Sequence, residues 1–155
     1  MFKTSHRETR VVATSVERMF DLVADVERYP EFVPLIRRAA VVQRCARGYE
    51  TDQVLAVGLW VYRFRTRTEL DSPRSIIVTT ADGTFQPLMI RWSFTPTPEG
   101  HCQVDFALDC TMRWFWLQPL GEALVAQMAT TMVHAFVARA EAQGREAKEH
   151  VLVLS

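Results

Sequence analysis

"DLVADVERYPEFVPL" (Asp21–Leu35) begins with helical spacing and ends on two prolines four residues apart. Large apolar groups, Tyr29, Phe32, Val33 and Leu35, crowd the prolines. Upstream, Thr14 with Glu17 three places on makes a capping box for the helix start. Val16, Met19, Phe20, Val23 and Val26 then share one helical face, with Glu17, Asp21 and Asp25 opposite. Pro30 disfavours the α conformation at Tyr29, so the helix is predicted to end near Glu27 or Arg28. Pro30 can open a new turn, and Pro34 limits that turn to about one cycle.

Outward from this stretch the period changes. "HRETRVVA" (His6–Ala13) reads as a short strand before the helix. From Arg37 to Thr111 the period is two. "AVVQRCA" and "YETDQVLAVGL" flank a turn at Arg47-Gly48, with Leu55, Val57 and Leu59 on one face. In "VYRFRTRTEL" Phe64, Thr66, Thr68 and Leu70 point one way, and Arg63, Arg65, Arg67 and Glu69 the other. "SIIVTTA", "LMIRWSFTP" and "CQVDFALDCTM" complete the strands, with Ile90, Trp92 and Phe94 on one face and Val104, Phe106, Leu108 and Cys110 on another. A long helix is predicted from about Leu117 to Gln143. Leu117, Leu120, Leu124, Met128, Met132 and Phe136 form its main apolar row, beside a smaller row of Gly121, Val125, Ala129 and Val133. Gly144 reads as its stop, leaving residues 1–144 as a single domain and 145–155 as an unassigned tail. Strand, helix with broken turn, antiparallel strands and long helix define an α+β two-layer design. A curved antiparallel sheet across a long helix often leaves a cavity between them.

The 155 residues suffice for one domain, and the formal charge of zero gives no global steering toward nucleic acid. The N-terminus "MFKTSHRETR" is no signal peptide, and no apolar run approaches the ~20 residues needed to span a bilayer. Three cysteines without C-x-x-C spacing fit a reducing, cytoplasmic compartment.

Little points to catalysis. There is no nucleophile elbow, P-loop or dinucleotide fingerprint, and the four histidines are scattered. Cys102 and Cys110 would lie roughly 26 Å apart on one strand and could not share a metal. The polar groups that could converge inside a cavity are Gln127, Thr131 and His134 of the last helix. No catalytic residue, metal or resident cofactor is expected.

The stretch "FDLVADVERYPEFVP" resembles the signature of the coenzyme-Q-binding START-domain proteins and the RatA-type ribosome-association toxins. These are two names for one polyketide cyclase/dehydrase-like group of the SRPBCC superfamily. "VGL", "RFRTRTEL", "ADGTFQPL", "RWSFTP", "CQVDFALD" and "MVHAFVARAEAQG" follow in the same order. The chain departs at Leu35-Ile36, where the family usually has Trp-Cys, and at Trp114-Phe115-Trp116, where it commonly has a polar stretch.

The resemblance implies a helix-grip (START-like) fold: a curved antiparallel sheet wrapped around a long C-terminal helix, with a hydrophobic ligand tunnel. It implies non-catalytic binding or chaperoning of a polyprenyl quinone such as ubiquinone, supporting respiration. The alternative is a toxin that binds the large ribosomal subunit and blocks subunit association; a cyclase-like enzyme is third. The expected gate is Tyr29, Phe32, Val33 and Leu35, beside Phe20 and Val23. The expected wall is Leu55, Val57, Leu59, Phe64, Trp92, Phe94, Phe106 and Leu108 from the strands. Leu120, Leu124, Met128 and Met132 complete it from the helix. For all of these a plain filled core is the alternative. Arg37, Arg38, Trp114 and Trp116 are the candidates for peripheral contact with the inner face of a membrane or with ribosomal RNA.

Overall fold

The computed structural model describes residues 2–57, 59–80, 85–112 and 118–154, without the side chains of 2, 57, 60, 85, 86, 112, 118–121, 124 and 147–154. Its elements run β1 (Phe2–Val12), α1 (Val16–Ala24), a 3-10 helix (Val26–Glu31), β2 (Ile36–Cys45), β3 (Gly48–Val57), β4 (Trp60–Asp71), β5 (Ser75–Thr80), β6 (Phe85–Pro96), β7 (Cys102–Met112) and α2 (Gln118–Leu154). The strands form one antiparallel sheet in the order β1-β7-β6-β5-β4-β3-β2. The sheet is curved and α2 packs on it, which is the helix-grip, START-like architecture.

Alternation works as the period-two reading requires. On β4, Thr66 and Thr68 are buried and Phe64 and Leu70 half-buried, while Arg63, Arg65, Arg67 and Glu69 are exposed. The outward arginines pair across to β3, Arg65 with Asp52 at 2.8 Å and Arg67 with Glu50 at 3.0 Å. The β2–β3 turn closes on Gly48, where a Cβ would lie 1.8 Å from the Thr68 carbonyl oxygen.

The helix start and stop signals were each misplaced. The N-cap is Ser15, whose hydroxyl accepts from the Arg18 amide at 3.2 Å, so the Thr14–Glu17 box is out of register by one residue. The first helix ends at Ala24, earlier than Glu27 or Arg28, and Pro30 lies inside the following 3-10 helix. Two tyrosines account for the early break. The Tyr29 hydroxyl donates to the Val23 carbonyl, and the Tyr49 hydroxyl donates to the Ala24 carbonyl at 2.6 Å. Carbonyls that the end of a helix leaves unpaired are thereby satisfied by side chains, and the backbone can turn.

Gly144 does not stop α2. The helix continues to Leu154, so the segment read as a tail is helical. Gly144 instead lets α2 pass close to β1's exit, where a Cβ would come within 3.2 Å of the Ala13 carbonyl oxygen.

Candidate ligand cavity

α1 covers only part of the sheet. Its buried residues Met19, Phe20 and Val23 pack with Val12, Phe94, Cys102, Val104 and Phe106 in one core, with Phe20 edge-on to Phe94 at 6.0 Å. Beyond Phe94 the space between sheet and helix is not filled. A cavity of about 180 Å³ lies there, between β3–β7 and the N-terminal half of α2.

Its floor is aromatic. Phe136 of α2 stands edge-on to Tyr29 and Trp92, both at 5.0 Å, and closes the cavity off from the packed core. Its walls are Leu55, Phe64, Val78, Leu88, Ile90 and Leu108 from the strands, with Val125, Met128, Ala129 and Met132 from α2. Tyr62 and Arg63 are exposed lining residues, so the cavity meets solvent beside them.

One wall is polar. Gln53, Thr66, Thr68 and Thr80 line the cavity from β3, β4 and β5, and all four are buried. Thr51 and Thr66 are cross-strand partners with hydroxyls 2.6 Å apart. The Gln53 amide donates to Thr51 at 3.1 Å and to Thr66 at 3.3 Å. Thr68 is hydrogen-bonded to the Tyr49 phenol, and burial pushes that phenol up to about 12. Burial likewise raises Tyr29, so both tyrosines stay neutral donors at neutral pH. The Cys110 thiol, also on the wall, is pushed up to about 11 by burial. Among the described residues, no cluster of histidine, cysteine and carboxylate side chains could hold a metal ion.

Of the residues expected at the site, Tyr29, Val33, Leu55, Phe64, Trp92, Leu108, Met128 and Met132 are on the cavity lining. Phe20, Val23, Phe94 and Phe106 are not: Phe20 and Val23 of α1 pack with Phe94 and Phe106, and all four belong to the filled core. Phe32 is also off the lining. Its ring meets Tyr29 and Phe136 edge-on, and the Arg139 guanidinium covers it at 5.4 Å from the centroid. Leu35 lies outside the lining too, with its carbonyl accepting from the Ala56 amide at 2.8 Å. Leu59 is fully exposed just past the end of β3, where the strand alternation that would have turned it inward has stopped. The side chains of Val57, Leu120 and Leu124, and Trp114 and Trp116 altogether, lie outside the described residues. Arg37 and Arg38 are exposed. Gln127, Thr131 and His134 do not reach the cavity, because the row of α2 that faces the sheet is Val125, Ala129, Val133, Phe136 and Ala140.

Sequence reasoning missed the polar wall. Its signal was present: Thr66 and Thr68 share the inward parity of Phe64 and Leu70, and Thr51 and Gln53 that of Leu55. An inward polar residue on a half-buried strand needs a partner or a ligand.

Sheet, helix and cavity together define a helix-grip protein of the START-like class. The chain belongs to the polyketide cyclase/dehydrase and lipid transport family, whose model matches residues 12–137. It is 31% identical over 134 residues to the ribosome association toxin RatA of Escherichia coli, covering 86% of this chain and 84% of that one. It is 29% identical over 140 residues to the mitochondrial coenzyme Q-binding protein COQ10 homolog B of Xenopus laevis, spanning 86% of this chain and 57% of that one. Among solved structures, the Zhui aromatase/cyclase of a Streptomyces species superposes with a TM-score of 0.86 at 16% identity, covering 94% and 98% of the two chains. That likeness is one of fold. An 18 kDa protein of Caulobacter crescentus has a TM-score of 0.73 at 26% identity, covering 93% and 99%. No helix among the described residues is long and apolar enough to cross a membrane.

Proposed function

We propose that the protein binds a hydrophobic ligand in this cavity without transforming it, and that the ligand is a prenyl lipid of the quinone type. The observation that carries this reading is the cavity itself: apolar on most of its surface, floored by aromatic rings, and partly open beside Tyr62 and Arg63. The described lining offers hydroxyls, phenols, an amide, a guanidinium and the Cys110 thiol, which burial holds protonated, but no carboxylate or imidazole for general acid–base work. The COQ10 relative, named for binding coenzyme Q, supports the ligand class.

Size limits what enters. An apolar cavity of roughly 150 Å³ takes a benzene ring, whereas drug-sized ligands occupy roughly 300–1,000 Å³. At about 180 Å³ this cavity takes one ring and the start of a tail, and the rest of a long tail leaves by the mouth.

The test is organic extraction of protein purified from a quinone-making host, with mass spectrometry, followed by titration with a short-chain benzoquinone. Stoichiometric prenyl lipid or saturable binding is expected. Ala129→Leu, which fills cavity space from a buried position, should weaken binding more than tenfold while the protein stays folded, with overpacking costing about 1–3 kcal/mol of stability. Absence of lipid and of binding would sink the reading.

A second reading has its own support. RatA relatives match 84–86% of this chain, and Arg37 and Arg38 are exposed. If that reading holds, the protein co-sediments with large ribosomal subunits, steeply less so as salt rises, and Arg37→Glu with Arg38→Glu releases it. No co-sedimentation at low salt rules it out.

A further inference from the structure

The hydrogens of the polar wall do not balance. Thr51, Gln53 and Thr66 are 0%, 7% and 2% exposed, and their three side chains bond to one another. The two hydroxyls carry two hydrogens, and one is used between them. The Gln53 amide donates to both oxygens, so the second hydroxyl hydrogen has no acceptor within the group. Reversing the amide does not remove the surplus. The hydroxyls then donate to the Gln53 carbonyl oxygen, and both amide hydrogens are left over. In either orientation a buried group of three presents an unspent donor. Gln53 and Thr66 line the cavity while Thr51 lies behind them, so with Thr51 donating to Thr66 the unspent hydroxyl hydrogen is on a cavity-lining residue, as are the unspent amide hydrogens in the reversed orientation.

A buried donor left without an acceptor is costly. A ligand oxygen removes that cost, while a hydrocarbon leaves it in place. Position agrees. On β3 the polar group stands one inward step below Leu55, and on β4 it stands below Phe64 and Tyr62, the residue at the mouth. Trp92 and Phe136 close the cavity on the inner side. A ring lying against them is within the cavity that the polar wall also lines.

We propose that Gln53 and Thr66, held by Thr51, form a donor subsite for a carbonyl or ether oxygen on the ring of the bound ligand, which enters head first and leaves its tail toward Tyr62. The inference rests on the ligand-binding reading above and goes further by assigning orientation and the group recognised.

The experiment compares two probes of equal chain length: a dimethoxy-methyl-benzoquinone bearing a ten-carbon chain, and decylbenzene. Binding is measured by equilibrium dialysis. The wild type should prefer the quinone by about tenfold, the value of one or two net hydrogen bonds. Gln53→Leu and Thr66→Val should each shrink that preference toward one while leaving decylbenzene binding unchanged or tighter. The triple variant Thr51→Val, Gln53→Leu, Thr66→Val removes every member together, strands no polar atom of the group and keeps a foldable control. A quinone preference that survives in the triple variant overturns the subsite but leaves the ligand-binding reading standing. Equal binding of both probes by the wild type has the same meaning. Failure of the wild type to bind either probe overturns both.

Discussion

Leu88 and Phe94 lie six residues apart on β6 with the same parity, yet they face different surroundings. Phe94 is 3% exposed and meets Phe20 of α1. Leu88 lines open space. The same strands and the same α2 run past both. The difference is α1, which packs against β5, β6 and β7 at one end and has no counterpart at the other among the described elements. The packed end holds Met19, Phe20, Phe94 and Phe106, and the hollow end leaves Val125, Ala129, Thr66 and Thr80 on the lining of open space. A helix-grip sheet wide enough to curl around one helix is too wide to be filled by it. The second helix decides which part becomes core and which remains a site.

The sharpest way to break this contrast is to truncate a large side chain at each end. Phe106→Ala at the packed end leaves a void that α1 and Trp92 cannot collapse into, and should cost about 3–5 kcal/mol. Met132→Ala merely enlarges a cavity that already exists, so the loss should fall below the roughly 2 kcal/mol low end for buried methionine truncations. Chemical denaturation of both variants checks this. Equal costs would mean that the hollow end is as well packed as the other.

Much of this division was legible in the sequence, and the exceptions are physical. Strand parity on β4 and β7, the buried face of α1 and the family signature all emerge from local pattern, because one sheet face and one helix face are buried. Which inward residues meet a ligand space does not. Phe94 and Phe106 have the same parity as Trp92 and Leu108, and only the position of α1 separates them. The larger apolar row of α2 looked dominant by side-chain volume. In the fold the smaller row, Val125, Ala129 and Val133, joined by Phe136 of the larger one, faces the sheet while Met128 and Met132 flank it half-buried. Gly144 carried a stop signal, yet it serves a helix crossing, a contact no local rule can see.

A second contrast comes from two thiols on one strand. Cys102 is 0% exposed in the packed end, and Cys110 is 3% exposed on the cavity wall. Burial pushes each up to about 11 from an ordinary 9.0. A folded value above the unfolded one means the folded state holds the proton more tightly. The resulting stabilisation is complete below pH 9 and is lost as pH rises through 9 to 11. Tyr49, pushed up to about 12 from 10.0, carries the same sign to higher pH. Melting temperature should therefore be flat from pH 7 to 9 and then fall. The drop between pH 8 and pH 10.5 should be smaller in Cys102→Ala than in the wild type, whatever that variant costs at pH 8. The two ends separate in reactivity: iodoacetamide should modify exposed Cys45 first, Cys110 next through the cavity, and Cys102 last. A bound quinone should protect Cys110 alone. Modification of Cys102 before Cys110 would contradict the solid-against-hollow division.

The smallest effect concerns the helix that creates the division. α1 begins on the Ser15 hydroxyl, which accepts the Arg18 amide, and the preceding Thr14 has no part in that bond. Ser15→Ala removes the acceptor and should cost about 1 kcal/mol, while Ser15→Gly, which keeps a good cap conformation, should cost only a few tenths. α1 touches the packed end and supplies none of the cavity lining, which begins only at Val26 and Tyr29 of the 3-10 helix. The loss should therefore appear in stability and leave probe affinity unchanged. Hydrogen exchange would localise it to Arg18 and Met19, whose amides bond back to the Ser15 side chain and carbonyl. If Ser15→Ala instead weakens quinone binding with little change in stability, α1 communicates with the cavity, and the packed end is part of the site and not its foundation.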